Sequence, residues 1–391
     1  MTTLATRGRR MDMPERLRRA AVGIDWWLVA VAAAISGFGV YVVRAATQTD
    51  IPGDPSFYFT RQLSFTIVGL LGMVGALYID LERLAGWAWV LWGGLCAAVA
   101  VVFVIGSGAR GSTRWIDFGP AQVQPSELGK VVIAVVLAAV IVQKSGEMSP
   151  GRLTLLATGV ALVPAGIVFL QPDLGTALVY MAILMAVLWV AGQPWTHFAA
   201  FGAIIATVVI LVLWALPAVG VQVLKPYQVD RLTAFVASGA DRSETGYQLE
   251  QSKTAIGSGG ALGKGPNGAT QTINDFLPEH HTDFIFAVVA EMFGFVGGGI
   301  LILAYALVVW RGLRVLARAR TRLDQLVAAG IVAMFAFEVF VNIGMNVGIM
   351  PITGIPLPFM AYGGSHTITN LVAVGLLLNI NRRGSVLPRP L

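Results

Sequence analysis

Ten blocks of apolar residues follow one another along this chain, at about 24–43, 62–79, 84–105, 127–142, 153–170, 175–191, 199–217, 283–309, 326–345 and 366–380. Their length suits a helix crossing ~30 Å of hydrocarbon, where every backbone polar group must be satisfied inside the segment. Only 12% of the 391 residues are Asp, Glu, Lys or Arg, against ~25% in an ordinary soluble domain. So few charges cannot cover a water-exposed surface. A soluble enzyme, a disordered scaffold and a secreted disulfide domain are thereby excluded. The pattern predicts an all-α polytopic membrane protein of about ten transmembrane helices, with a large extracytoplasmic loop between the seventh and eighth.

Charge placement predicts the topology. A basic tail (Arg7, Arg9, Arg10, Arg16, Arg18, Arg19) precedes the first block, and no small-residue cleavage site follows it, so that block reads as a retained span. An even number of spans puts both termini on one side. Placing them in the cytoplasm puts most of the 27 Lys and Arg there, as the positive-inside rule requires. The net charge of +6 therefore reports orientation and not a nucleic-acid partner. The expected organisation is a cytoplasmic tail at 1–23, one transmembrane domain at 24–382 with a long outer loop at 218–282, and a cytoplasmic tail at 383–391. The loop is too long for a plain connector and is expected to be partly ordered against the membrane face. Pro164 predicts a kink or break in the fifth span. One cysteine, Cys96, excludes internal disulfides and thiolate metal clusters, and the four histidines form no HExxH pair.

Polar residues beside or inside the spans mark the candidate site, because charge at membrane depth is costly. Gln124-Pro125-Ser126-Glu127-Leu128-Gly129-Lys130 reads as a helix start, with Glu127 and Lys130 one turn apart and able to pair. That pair is either a structural ion pair or part of a polar cavity open to the outside, and Trp115 is either an interfacial anchor or a cavity wall. Asp173 is placed to cap the sixth helix or to join the cavity. In Leu277-Pro278-Glu279-His280-His281-Thr282-Asp283, Asp283 stands where water meets hydrocarbon. There, loss of water makes a carboxylate a stronger base; capping by Thr282 or Asp283 is the plainer alternative. The histidines and acids of this stretch match no strong metal-ligand spacing. The run Gly257-Ser258-Gly259-Gly260-Ala261-Leu262-Gly263-Lys264-Gly265 is no P-loop, since Ser258 stands where Gly is required and Gly265 where Ser or Thr is required. It is either a flexible loop or, with Lys253 and Lys264, a cradle for pyrophosphate. Glu291 and Glu338 are further intramembrane carboxylates, and Asp283 and Glu291 lie about two turns apart on the eighth span.

Together these motifs resemble the SEDS family (shape, elongation, division and sporulation). They are Arg114-Trp115-Ile116, Gln124 to Lys130, Gln171-Pro172-Asp173-Leu174-Gly175-Thr176, Pro226-Tyr227-Gln228 with Arg231-Leu232-Thr233, and Gly246-Tyr247-Gln248 with Gln251-Ser252-Lys253. They continue with Ala255 to Gly260, Leu277-Pro278-Glu279 with His281 to Ala287, and Thr353 to Phe359 with Tyr362-Gly363-Gly364-Ser365. The resemblance spans Trp26 to Arg383. Lys225-Pro226-Tyr227-Gln228 and Gln251-Ser252-Lys253 look more like its RodA branch than its FtsW branch. Three positions depart from the family pattern: Ala361 replaces the usual Ser, His366 a small residue, and His280 the more usual Arg, Gln or Ala.

The resemblance implies an inverting peptidoglycan glycosyltransferase of the bacterial cytoplasmic membrane, active on the outer face in cell-wall elongation. It implies lipid II and the growing glycan strand as ligands. It implies a class B penicillin-binding protein and other elongation-complex membrane proteins as partners. Asp283 becomes the expected base, or the ligand of a divalent cation (Mg or Mn); no nucleotide is needed because the donor is already activated. Arg114, Arg231, Lys253 and Lys264 become expected phosphate binders. Trp115, Gln124, Ser126, Glu127, Lys130, Asp173, Glu279, His281 and Ser365 become expected cavity residues. A lipid II flippase and a non-catalytic scaffold for a transpeptidase are the competing readings.

Overall fold

The computed structural model describes residues 23–109, 112–117, 119, 122–212 and 244–386. Its helices are α1 (Trp26–Ala46), α2 (Phe57–Ala76), the short α3 (Leu81–Gly86), α4 (Ala88–Ile105), α5 (Pro125–Lys144), α6 (Pro150–Leu170) and α7 (Leu174–Val190). They continue with α8 (Trp195–Ile210), α9 (Glu244–Ser258), α10 (Thr270–Ile273), α11 (Ile285–Arg318), α12 (Arg322–Val347) and α13 (Gly364–Val386). Among the described residues, nine of the ten apolar blocks fall on one helix each, and the block predicted at 84–105 runs from α3 into α4. Seven of these helices are long and apolar enough to cross a membrane; α7 and α8 are shorter apolar helices. The outer end of the block predicted at 199–217, and the tail before residue 23, lie outside the described residues.

Helix boundaries follow local chemistry. Asp25 and Asp173 accept from the backbone N–H of Leu28 and Thr176 and so cap α1 and α7. Pro125 and Pro150 open α5 and α6, where a missing N–H costs nothing. Pro164, expected to kink or break its span, sits within an α6 that stays helical on both sides of it.

The all-α expectation has one exception. Between α4 and α5, β1 (Ser107–Ala109), β2 (Ser112–Asp117) and β3 (Gln122–Val123) form a small antiparallel sheet in the order β1-β2-β3. Ser107 pairs with Trp115, and Ile116 with Val123.

Among the seven long spans, α5 and α12 are the most enclosed, with 78% and 67% of their apolar windows buried, whereas α2 and α4 have 22%. The interior is thus built on α5 and α12, and the outer helices keep apolar side chains for lipid. The described residues joining α1 to α2, α4 to α5, α6 to α7, α9 to α11 and α12 to α13 all lie at one end of the bundle. The arginine-rich segments (Arg83, Arg311, Arg314, Arg318, Arg320, Arg322, Arg382 and Arg383) lie at the other.

The helix α11 is broken at Gly294, whose φ of 67° and ψ of −164° are open only to glycine. The break frees backbone groups that need partners at membrane depth. The glycine-rich run supplies them. Lys264 and Gly265 donate to the carbonyls of Glu291 and Met292 at 3.0 and 2.9 Å, and Phe295 and Val296 donate to those of Gly260 and Ala261 at 2.9 and 3.1 Å. A Cβ on Gly294 would stand 2.4 Å from the Gly263 nitrogen. The run is therefore neither a free loop nor an amide cradle at these positions: its amides at 264 and 265 are spent on α11.

Candidate functional site

The polar motifs of five separate segments meet at the sheet-bearing end. The first is the start of α5 with the sheet before it. Gln124 donates from its backbone N–H to Ser365 Oγ at 2.9 Å, and from Nε2 to Asp173 Oδ2 at 2.9 Å. Arg114 donates to the carbonyls of Gln171 and Pro172 and stands 3.9 Å from Asp173 Oδ1. Asp173 therefore does both things open to it: it caps α7 and also joins the cluster. Trp115, on β2, is half-buried.

The segment after α12 closes on this cluster. A Cβ on Gly175 would lie 2.8 Å from the Thr353 carbonyl and 2.7 Å from Ile355, so the start of α7 presses directly on residues 353–355. On the other side of the same strand of chain, a Cβ on Gly354 would lie 3.7 Å from Asp283 Oδ2. Asp283 is half-buried, and the N-cap residue of α11 is Phe284, which makes no side-chain cap. Its main-chain carbonyl accepts from Asn342 Nδ2 at 2.9 Å and Asn346 Nδ2 at 3.1 Å.

Beneath this mouth is a buried ionic network. Lys130 Nζ lies 2.7 Å from Glu127 and 2.6 Å from Glu338. His366 Nδ1 donates to Glu127 Oε2 at 2.9 Å, and Asn370 Nδ2 stands 3.1 Å from His366 Nε2. The Ser126 carbonyl accepts from Tyr180 at 2.9 Å. Glu127 and Lys130 pair as their spacing predicts, yet the pair is one edge of a larger cluster. Glu338 Oε2 is buried without a hydrogen-bond partner. His366 is tied directly to Glu127.

On α12, Glu338, Asn342 and Asn346 form a stripe at four-residue spacing that runs from the ionic network to Asp283. Asn342 also donates to the Ile355 carbonyl at 2.8 Å, and Asn346 accepts from the Ala287 N–H at 3.1 Å. Sequence reasoning noted only Glu338. Three polar residues at i, i+4 and i+8 of an otherwise apolar helix were the signal that could have found the stripe.

Other expected residues lie further out. Glu279 accepts from Thr282 Oγ1 at 2.9 Å. The His281 ring lies 4.7 Å from that of Tyr58 and 5.6 Å from that of Tyr362, and its carbonyl accepts from the Tyr362 N–H at 2.9 Å. Burial alone would lower His280, but the adjacent Asp50, the Leu277 carbonyl and Asp275 raise it above the usual histidine value. Burial and the neighbouring His280 hold His281 below that value. Lys253 is exposed and close to Gly348, the left-handed cap of α12, where an ammonium suits the negative helix end. Lys264 reaches Glu291 at 3.5 Å. Glu291 also accepts from the backbone of Gln271 and Thr272 at 2.9 and 3.1 Å, so it holds α10 to α11 and does not join Asp283. Arg231 and the Pro226-Tyr227-Gln228 motif lie outside the described residues.

Between α11 and α12, a groove of about 450 Å³ is lined almost wholly by apolar side chains, among them Ile302, Val309, Trp310, Phe340, Ile343 and Ile349. Its Ile349 end lies just beyond the α12 stripe.

Residues 24–385 match the family described as cell cycle protein, FtsW/RodA/SpoVE. The chain is 34% identical to stage V sporulation protein E of Bacillus subtilis over 370 residues, covering 92% of this chain and 97% of that one. It is 34% identical to the peptidoglycan glycosyltransferase MrdB of Escherichia coli over 372 residues, covering 94% and 96%. Among solved structures, it resembles a chain from a peptidoglycan synthase complex that coordinates polymerization and crosslinking. The TM-score there is 0.76 at 32% identity, covering 92% of this chain and 98% of that chain. It also resembles the rod shape-determining protein RodA of Thermus thermophilus, with a TM-score of 0.66 at 28% identity, covering 92% and 97%.

Proposed function

The chain belongs to the FtsW/RodA/SpoVE family, and from that premise we propose that it is a peptidoglycan glycosyltransferase that polymerises lipid II into glycan strands during cell-wall elongation. The observation that carries this reading is the meeting of Asp283 with the Asp173, Gln124, Arg114 and Ser365 cluster across residues 353–355. A carboxylate at the rim of a membrane-embedded polar mouth suits a reaction between a membrane-anchored sugar donor and a sugar hydroxyl.

In that reaction the acceptor's 4-hydroxyl attacks the anomeric carbon of the donor as the bond to pyrophosphate breaks. A base takes the hydroxyl proton, and cations meet the charge that develops on the departing pyrophosphate. Asp283 is the base. Its carbonyl is held by Asn342 and Asn346, so α12 sets where the carboxylate starts from. Lys253, Lys264 and Arg231 are the cations assigned to pyrophosphate. Arg114 acts through Asp173 and the 171–172 carbonyls, which hold the rim in shape. Glu127, Lys130, Glu338 and His366 form a rigid polar floor. The polyprenyl tail lies in the apolar groove between α11 and α12. Attack opposite the leaving group inverts the anomeric centre.

A divalent cation at Asp283 would help to neutralise the pyrophosphate. Among the described residues, Asp283 belongs to no group of three His, Cys, Asp or Glu ligands. No step above is routed through a cation.

The site faces outward from the bacterial cytoplasmic membrane, with both termini in the cytoplasm. A class B penicillin-binding protein that cross-links the new strand is the assigned partner, in keeping with the synthase complex that this fold resembles. The test is polymerisation of labelled lipid II by purified protein in liposomes, with and without that partner, and with a thermal melt as folding control. Glycan ladders from the wild type and none from folded Asp283→Ala are expected. Failure of the wild type to make glycan with partner and divalent cations present, while lipid II crosses the liposomes, overturns the reading in favour of a flippase.

A further inference from the structure

A second cluster of metal-capable side chains lies beside the candidate site and takes no part in the chemistry above. It joins the loop after α1 to the segment that leads into α11. We propose that Asp50, His280 and His281 form a binding site for a divalent transition metal, with Zn²⁺ the best match, that staples these two segments together. The inference does not depend on the glycosyltransferase reading.

Three observations carry it. The His280 side chain is 3% exposed, and its Nδ1 stands 3.1 Å from the Leu277 carbonyl. That contact uses Nδ1 and leaves Nε2 as the ring nitrogen that faces Asp50. A ligating histidine is held in this way, with its other ring nitrogen donating to a carbonyl.

The second observation is what that nitrogen faces. His280 Nε2 faces Asp50 Oδ2 at 3.3 Å, and His281 Nδ1 faces the same oxygen at 3.8 Å. Both nitrogens are buried and neither has a hydrogen-bond partner. Two ring nitrogens and a carboxylate this close need positive charge among them, and a bound cation would supply it to all three atoms at once. The three ligand atoms all lie within 4.8 Å of one another. Ligands around a tetrahedral zinc are about 3.4 Å apart, given bonds of ~2.0–2.1 Å. Shifts of a few tenths of an ångström to about 1 Å close the set.

The third observation is rigidity on one side and access on the other. The His281 ring is packed by Tyr58 and Tyr362, and the His280 and His281 rings meet edge to face at 5.1 Å. Asp50 and His281 are 14% and 16% exposed, so a water completes the coordination from the solvent side. Two imidazoles and a carboxylate suit zinc, and an open fourth position suits exchange with solvent.

The test uses the full chain in detergent, stripped with chelator and titrated with Zn²⁺ or Co²⁺. Expected are one bound equivalent, visible absorption bands of tetrahedral Co²⁺, and a melting temperature that rises with metal. His280→Ala and Asp50→Asn are expected to weaken binding at least tenfold and to abolish the metal-dependent rise, while Asp283→Ala keeps both. If His280→Ala fails to fold, Asp50→Asn, on a separate loop, carries the comparison. No bound equivalent in the wild type overturns the proposal and leaves a protonated His280 paired with Asp50. Undiminished binding in folded Asp50→Asn also overturns it, and loss of binding in Asp283→Ala moves the metal to the catalytic carboxylate.

Discussion

Lys130 is the residue on which most of the buried charge depends. It is 1% exposed and is held by two carboxylates, Glu127 and Glu338, that are themselves buried. Burying three such groups is costly, and their mutual attraction repays the cost only while all are present. Lys130→Met should therefore leave two carboxylates uncompensated and lower stability by ~3–5 kcal/mol, read as a fall in melting temperature in detergent. Glu338→Gln keeps an acceptor near Lys130 and should cost less. Asp283 is tested by its chemistry. Its main-chain carbonyl, which any residue would supply, is held by Asn342 and Asn346. In folded Asp283→Asn, lipid II polymerisation should fall by ~10²–10⁴, the range for loss of a general base, and by more than any change in the melt accounts for. A parallel loss of both would assign Asp283 to structure.

At the scale of elements, two helices are more than spans. The break in α11 at Gly294 exists because the glycine-rich segment donates to and accepts from its freed backbone groups, and because only glycine has the required φ and ψ. A side chain there would meet the Gly263 nitrogen at 2.4 Å and the Ala261 carbonyl at 2.5 Å. Gly294→Ala should cost at least ~1–3 kcal/mol of backbone strain and release the 259–265 segment. Faster proteolysis of that segment, compared with a control at the open Gly257, would show it. In sequence, Phe293-Gly294-Phe295-Val296 reads as ordinary apolar span, so nothing local announces the break. The stripe on α12 was legible as Glu338, Asn342 and Asn346 at four-residue spacing. Its destination was not, since no spacing along one helix says which loop will meet it.

For the whole molecule, the separation of polar mouth from arginine-rich end makes orientation a sharp question. With Cys96 replaced by Ala, cysteines at Pro55 and Gly146 occupy exposed connections at opposite ends of the bundle. A membrane-impermeant maleimide should label Pro55→Cys in intact cells, and Gly146→Cys only after permeabilisation. The reverse pattern would put the candidate site in the cytoplasm and exclude an outer-face polymerase. The same separation explains why the fold holds a site at all. Charges that cannot be buried alone are gathered where α5, α7, α12 and α13 converge, and the lipid-facing helices stay apolar.

The sequence by itself determined that this chain spans a membrane many times, because hydrocarbon thickness and backbone desolvation leave an apolar block of that length no other stable form. It also determined which short motifs carry the chemistry, since charge near membrane depth persists only where it is used or paired. Only the tertiary structure decided how those motifs combine. Gln124 meets Ser365 across 241 residues, His366 meets Glu127 across 239, and Lys130 meets Glu338 across 208. The small sheet before α5, the helix break filled by the glycine-rich run and the convergence on Asp50 of two adjacent histidines are of the same kind. Each depends on which helices pack side by side, and that is settled by the shapes of apolar surfaces summed over the whole chain, not by any local pattern.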